Sequence, residues 1–522
     1  MNLHIYDIVA LLAYLGAVAA MGIYFSKKNI STEAYFLGGR SFAGWAVGLS
    51  LVGTSISSIT FVAYPGDAFK TAWLRYIPNF MLPVGIFIAS YVFLQFFRRG
   101  RATSAYQYLE RRFGPSIRVY ASATFIIAQL ARVSIILLLV ALVVHEITGL
   151  DQTMCILVGG IIVAIYTVIG GIGAVIWTDV LQTVVLVMGG LVCLFIIIQK
   201  LPGGLEQILS VGISEGKFAF SELVEGKLHP IPWNLSLHYK TGTMMLLLGL
   251  SNWLTEYSGN QNVIQRYFAS KSPREARKAM YICAFSSLPI WAFYMFLGTS
   301  LFVFFKAFPC TEATEMLNGI RKADQILPFF IVNYIPPGIR GLIIAGVLAA
   351  AMSSLDSSIN AIATVGIVDI YRRHLVKKRD DRHYLKVAWA FATTAAIIMI
   401  VGAIILAKIE TKTLQDTYTI LTSLLWGGIL GVYLLGFLTR KGDARAVGCG
   451  IVCTILFTLW TILTGKGILP KWLNAPFDLY YTGIVANLVM FSVGYLIGTL
   501  LPRKKHDMKN LTVWDQDGSP LE

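Results

Sequence analysis

Apolar positions in this chain gather into long runs, and polar positions into the short connections between them. Thirteen runs stand out, at about 6–25, 43–69, 77–97, 117–148, 153–171, 173–199, 241–260, 277–306, 337–371, 386–407, 413–438, 446–466 and 479–501. Each approaches the roughly 20 residues that a helix needs to cross the hydrocarbon core of a bilayer. The pattern predicts an all-α polytopic membrane protein of about 13 transmembrane helices. One run departs sharply from it. Residues 345–360, AGVLAAAMSSLDSSIN, carry Ser353, Ser354, Asp356, Ser357 and Ser358 within six positions, then Asn360. At bilayer depth such a cluster is costly unless something polar lies against it. Hydroxyl and carboxylate oxygens are hard ligands that suit a small hard cation.

Composition agrees with the apolar pattern. Of 522 residues, 56% are apolar and only 14% charged, against about 25% charged in soluble domains. The net charge of +15 would suggest nucleic acid in a soluble protein. Here the Lys and Arg residues cluster in short connections, so the positive-inside rule accounts for them and no nucleic-acid partner is expected. With the N-terminus outside, 28 basic residues fall on inner segments, 14 on outer ones and Arg132 within a span. Arg266 is counted among the inner-loop residues. The expectation is N-terminus outside and C-terminus cytoplasmic, in a plasma membrane such as the bacterial inner membrane. The first run lacks a basic n-region and a cleavage site and reads as a retained span. The six cysteines have no metal spacing and suggest no disulfide framework.

Spans two to six and seven to eleven form two five-helix sets, and an odd number of spans per set makes their orientations opposite. That is the arithmetic of an inverted-repeat transporter. The expected organisation is one transporter domain over 1–505, with a leading helix at 6–25, a first repeat at 43–199, a second at 241–438 and trailing helices at 446–501. A polar cytoplasmic tail follows at 506–522. The second span reads GWAVGLSLVGTSISSITF, where Gly53, Thr54, Ser55, Ser57, Ser58 and Thr60 are poor helix formers in succession. Either the helix breaks there and frees backbone groups for ligands, or the hydroxyls bond back to the preceding turn.

Ionisable residues inside spans are functional candidates by default. Arg132 lies mid-span and needs an anion: a buried acid from another helix, or a substrate carboxylate in its guanidinium fork. Asp179 reads as a cation ligand or as the partner of Arg132. Glu256 precedes a second candidate break at Ser258-Gly259-Asn260 and reads as a proton site, a cation partner or a structural group. Trp253 and Tyr257 are four apart on one helical face, either as a gate or as packing. No P-loop, zinc-protease motif or nucleophile elbow is present. The chain reads as neither an enzyme nor an ATP-driven pump, with no organic cofactor.

Five stretches together resemble the sodium/solute symporter family: EAYFLGGRSFAGWAVGLSLVGTSIS (33–57), TSAYQYLERRFG (103–114), YTVIGGIGAVIWTDVLQ (166–182), NQNVIQRYFASKSPREARKA (260–279) and AGVLAAAMSSLDSSINAIATVGIVDIYRR (345–373). The resemblance covers about residues 1–500. It implies a LeuT-type fold with a leading helix, two inverted five-helix repeats and trailing helices. It further implies a main Na+ site from Gly53, Ile56, Ala350, Ser353 and Ser354. Relatives that include bacterial sialic acid symporters add a second Na+ site, which falls on Asp179, Ser353, Asp356 and Ser357. Asp356 stands where those relatives carry a hydroxyl. Their substrate residues map onto Ser55, Ser57, Thr60, Asn79 and Arg132; the gate candidates Trp253, Glu256 and Tyr257 rest on the reading of the residues alone.

The expected function is sodium-coupled import of a small organic solute by alternating access, with an acidic sugar such as sialic acid as the leading substrate and a monomer as the working unit. A neutral sugar or monocarboxylate, proton coupling on the same fold, and a sensor or channel retaining the transporter core are the alternatives.

Overall fold

A computed structural model describes residues 4–56, 58–98, 102–224, 226–408, 426–501 and 507–516. The chain opens with α1 (Ile5–Ser26) and a short α2 (Thr32–Leu37) capped by the Ser31 hydroxyl, which accepts from Ala34 N at 3.1 Å. Next come α3 (Gly44–Ser55) and α4 (Ser58–Lys70), the second predicted span split in two. Ile56 sits at the split with extended backbone (φ −101°, ψ 97°), and the axes on either side differ by 51°. The third span begins as a 3-10 segment (Trp73–Met81), continues as α5 (Leu82–Ile88) and a π turn (Ala89–Phe93), and ends in α6 (Leu94–Arg98).

A connecting helix, α7 (Tyr106–Phe113), leads into α8 (Pro115–Thr148), which starts on proline and stops at Gly149 in the left-handed region (φ 73°). The long α9 (Gln152–Lys200) is continuous only in its hydrogen bonding. As one rod its 49 residues would extend about 74 Å at about 1.5 Å per residue, against a bilayer core of about 30 Å. Gly171 breaks it (φ 58°, ψ −165°), giving two segments where two runs are expected. A side chain there would collide with Tyr35, whose Cδ2 lies 2.7 Å from the Cβ position.

The segment after α9 carries α10 (Gly204–Ser214) and an antiparallel hairpin of β1 (Ser221–Val224) and β2 (Lys227–Pro230), paired Ser221 with Pro230 and Val224 with Lys227. A second broken span follows as α11 (Gly242–Gly259) and α12 (Gln261–Ala269), separated at extended Asn260 (φ −85°, ψ 109°). Then come α13 (Pro273–Ala307), α14 (Thr311–Asn318), α15 (Ile326–Tyr334) and α16 (Ile339–Val365), which continues as a π-helical segment (Gly366–Leu375). The remainder is α17 (Asp381–Lys408), α18 (Ile429–Leu438), α19 (Ala444–Gly465) and α20 (Thr482–Leu500).

Nine described helices, or ten with the bent pair counted as one span, are long and apolar enough to cross a membrane. The count of thirteen is therefore not confirmed among the described residues. One run is the interrupted α3–α4 pair, two are joined as α9, and the first half of the run at 413–438 lies outside the described residues. The spans that host breaks are too short or too polar to register alone.

The core sits around α16. Every residue from 349 to 367 is buried, with α9, α8, α1 and α17 packed about it. At the basic end, several arginines expected in solvated loops are buried instead. Arg98 donates to the carbonyls of Phe268 (3.3 Å) and Ser270 (3.1 Å), and Arg112 to those of Thr439 (2.9 Å) and Lys441 (2.7 Å). Arg118 binds Asp369 at 2.6 Å and also bonds Glu110. These guanidiniums satisfy helix-end carbonyls that would otherwise lack partners. Residues 507–516 fold back onto the same end. Tyr108 Oη donates to Leu511 O (2.8 Å), Val513 N to Phe437 O (2.9 Å) and Trp514 Nε1 to Leu438 O (2.7 Å). The part of the expected tail that is described is thus seated, with Thr512 wholly buried.

Candidate functional site

The first half of the second span is a good apolar helix until Gly53-Thr54-Ser55, where residues of low helix propensity coincide with the break. Carbonyls in the last turn of a helix have no intrahelical donor. Gly53 O finds one from the facing helix: Ser353 Oγ lies 3.1 Å from it and 3.2 Å from Ala350 O. Ser354 Oγ is buried with no hydrogen-bond partner among the described residues. Ile56, 1% exposed, stands at the break itself. Gly53 has to be glycine for this approach, because a Cβ would sit 2.7 Å from Thr183 Oγ1 on α9. The structure thus places Gly53, Ile56, Ala350, Ser353 and Ser354 along the contact of α3 with α16. Backbone carbonyls at a break plus hydroxyls make an all-oxygen set of the kind that coordinates Na+ in broken-helix transporters. The orphaned Ser354 hydroxyl fits such an ion.

Next to it lies a cluster that the sequence reading did not anticipate. Asp179 does not pair with Arg132. Its Oδ2 accepts from Arg266 Nη2 at 2.8 Å and from Ser50 Oγ at 2.5 Å. Arg266, counted above as an inner-loop residue, is 1% exposed on α12 and is wholly internal. Its Nε donates to Ser50 Oγ (2.8 Å), its Nη1 to Asn262 O (2.6 Å), and it also bonds Ser357 Oγ. Asp356 turns the other way, accepting from Tyr166 Oη at 3.0 Å and lying 3.3 Å from Thr178 Oγ1. Of the four residues expected at a second Na+ site, Asp179 and Ser357 are engaged by a guanidinium. Asp179 Oδ1 has no hydrogen-bond partner among the described residues. The signal that was available is that Arg266 follows directly on a predicted helix break, where a chain re-enters the core.

The remaining polar face of α16 meets α12 and α8. Ser358 Oγ donates to Gln129 Oε1 (3.0 Å), and Gln265 Nε2 to Asn360 Oδ1 (2.7 Å) and Thr364 Oγ1 (2.9 Å). The dense polar run is therefore shared among three neighbours.

Above the break lies a cavity of about 470 Å³, within the range of small-molecule sites. Ser55, Asn79, Arg132, Trp253, Glu256 and Tyr257 line it, together with Thr54, Gln129, Asn252, Thr255, Asn260 and Asn487, which sequence reasoning missed. Gln129 is one turn from Arg132 and Asn252 one turn from Glu256, so helical spacing pointed to both. Asn487 comes from a trailing helix and carried no such signal. It ties that helix in by accepting from Gly431 N at 3.0 Å. Thr60 is 3% exposed and does not line the cavity, and Ser57 lies outside the described residues. Asn79 Nδ2 donates to Tyr64 Oη (2.8 Å), Tyr257 Oη to Cys283 Sγ (3.5 Å), and the Trp253 ring lies 5.5 Å from that of Trp291. Glu256 Oε2 accepts from Asn260 Nδ2 at 2.5 Å. Among the described residues Arg132 has no hydrogen bond and no ion pair, although Glu256 lines the same cavity.

Two broken helices crossing beside an oxygen cluster, next to a cavity with an unpaired arginine, fit a sodium-coupled carrier. Residues 35–450 match the sodium:solute symporter family. The chain belongs to that family. Sodium is accordingly its coupling ion, and the relatives are transporters rather than enzymes. The sodium/sialic acid symporter SiaT of Proteus mirabilis is 30% identical over 509 residues, covering 97% of this chain and 98% of the relative. The sodium/sialic acid symporter NanT of Aliivibrio fischeri is 29% identical, covering 94% and 92%. A solved substrate-bound, outward-open Na+-coupled sialic acid symporter, described as revealing a novel Na+ site, superposes with a TM-score of 0.85 at 29% identity, covering 96% of this chain and 99% of that one. The nucleobase-cation symporter Mhp1 (TM-score 0.53, 15% identity, 91% and 97% covered) shares the fold. The LeuT-type architecture expected from the sequence is thus the one found, in a multi-pass membrane protein.

Proposed function

We propose that this symporter imports an acidic sugar of the sialic acid type, driven by sodium. The observation that carries this reading is Arg132: a guanidinium without a partner among the described residues, in a cavity of about 470 Å³, beside the broken second span. A guanidinium inside a membrane span demands an anion, and its fork matches a carboxylate. The sialic acid symporters among the relatives support that substrate class. Sodium is assigned to Gly53, Ile56, Ala350, Ser353 and Ser354. Bound there, it ties α3 to α16 and orders the cavity wall that carries Thr54 and Ser55, so ion and solute favour each other reciprocally. The second site proposed at Asp179, Ser353, Asp356 and Ser357 gains support from Asp179 Oδ1, which has no partner among the described residues. It is weakened by the guanidinium already bonded to Asp179. Ser55, Asn79 and Arg132 line the cavity and are the proposed substrate contacts; Ser57 keeps that expectation from the resemblance, Thr60 does not reach the cavity, and Trp253, Glu256 and Tyr257 are the proposed gate. The division into repeats at 43–199 and 241–438, the N-out and C-in orientation in a bacterial inner membrane, and a monomeric working unit complete the reading.

The test is uptake of N-acetylneuraminate into proteoliposomes with sodium or with choline outside. Saturable uptake only in sodium is expected. Equal uptake in both overturns sodium coupling, and uptake of lactate but not N-acetylneuraminate overturns the substrate in favour of a small monocarboxylate, the class carried by a 26% identical relative, the human sodium-coupled monocarboxylate transporter 1.

A further inference from the structure

The cavity holds a second charged group that a binder of simple carboxylates does not need. Glu256 lines it opposite in sign to Arg132. Both line the same cavity, yet no ion pair joins them, so each keeps hydrogen-bonding capacity for a third party. Glu256 Oε2 is occupied by Asn260 Nδ2 at 2.5 Å. Oε1 has no partner among the described residues. Asn260 also caps α12, accepting from Asn262 N at 3.0 Å. The carboxylate is thus tied to the break in α11–α12 and held in place before any solute arrives. A preorganised acceptor of this kind rewards a solute that brings hydroxyl donors and penalises one that brings a second negative charge.

We propose that Glu256 is a specificity-determining residue that accepts hydrogen bonds from the polyol chain of a monoanionic sugar acid whose carboxylate rests on Arg132. The cavity is bipolar, with a cation for one end of the solute and an anion for the other. This assignment rests on the substrate class proposed above and adds the group that separates a polyhydroxylated acid from a short one. Hydrogen bonds to a charged acceptor are roughly twice as strong as neutral ones, and leaving a desolvated carboxylate unanswered is costly. Lactate, which reaches Arg132 but brings no polyol chain, is a poor ligand for that reason. Dicarboxylates are rejected by the charge of Glu256.

The experiment compares N-acetylneuraminate with its seven-carbon analogue, made by mild periodate cleavage of the glycerol chain followed by borohydride reduction. Binding of each to purified wild type, Glu256→Gln and Glu256→Ala is measured in sodium. Wild type is expected to prefer the full-length sugar roughly ten-fold or more, and Glu256→Ala to bind both alike, with sodium affinity unchanged. Wild-type preference retained in Glu256→Ala overturns the role of Glu256 while leaving the proposed function standing. Sodium affinity lost together with both ligands shows a structural role and also overturns it. Failure of wild type to bind either sugar in sodium overturns the substrate class itself, and the polyol assignment with it.

Discussion

Arg266 Nη2 donates to Asp179 Oδ2 at 2.8 Å, and the two side chains are 1% and 0% exposed. The pair joins the second half of one broken span to the helix behind the other. Removing one partner of a buried pair leaves an uncompensated charge and costs about 3–5 kcal/mol, whereas replacing both is far milder. Arg266→Met is therefore expected to lower the unfolding temperature in detergent strongly, and Arg266→Met with Asp179→Asn to recover much of the loss. A double variant no better than Arg266→Met would show that the pair is not what couples these helices.

Ser353 and Ser354 are assigned to sodium rather than to packing. Sodium that binds only the folded protein raises its stability by an amount set by concentration over Kd. In wild type the melting temperature should climb with added sodium at constant ionic strength. In Ser353→Ala with Ser354→Ala that climb should shrink by roughly ten-fold in apparent affinity, with the sodium-free melting temperature nearly unchanged. An intact sodium response in the double variant would displace the site.

Arg132 and lysine are not equivalent before a carboxylate, because only the guanidinium offers two parallel donors. Arg132→Lys should weaken N-acetylneuraminate binding by about ten-fold or more, and Arg132→Gln further. The methyl ester of the sugar should fail to bind wild type. Equal calorimetric affinity for ester and acid would remove Arg132 from the substrate site.

Lys217 lies in the connection after α9 and is 4% exposed. Its Nζ donates to Phe69 O (2.8 Å) and Thr71 O (3.0 Å) and sits 3.9 Å from the Phe302 ring centroid. Burial pulls its pKa down from 10.5 to about 8, against a smaller opposing pull from Glu215. Between pH 8 and 10.5 the unfolded chain keeps a proton here that the folded one has lost, so stability rises with pH through that window. Below pH 8 both states are protonated and the folded state bears the full desolvation cost, about 3 kcal/mol. Lys217→Gln should flatten the pH dependence of the melting temperature between 8 and 10; an unchanged slope would refute the assignment.

The membrane class, both helix breaks and the polar run on α16 were legible because each is local: a string of poor helix formers, or polar residues at bilayer depth. The partners of those residues were not. Arg266 reads as a loop cation beside Lys271 and Arg274, since nothing in the linear pattern says that α12 turns inward and buries it. Asp179 consequently seemed free to pair with Arg132. The joined α9 hid a span boundary because Gly171 alone makes the break, with no polar connection to mark it. Asn487 entered the cavity wall from a helix that lies outside the two repeats, a relationship that only packing creates.

The seating of residues 511–514 against Tyr108, Phe437 and Leu438 also sets an order of events during synthesis. The carbonyls at the end of α18 and the Tyr108 hydroxyl wait for partners that the ribosome supplies more than seventy residues after α18 itself. The basic end of the bundle therefore stays unfinished throughout translation of α19 and α20. The partners that complete it come only with residues 511–514.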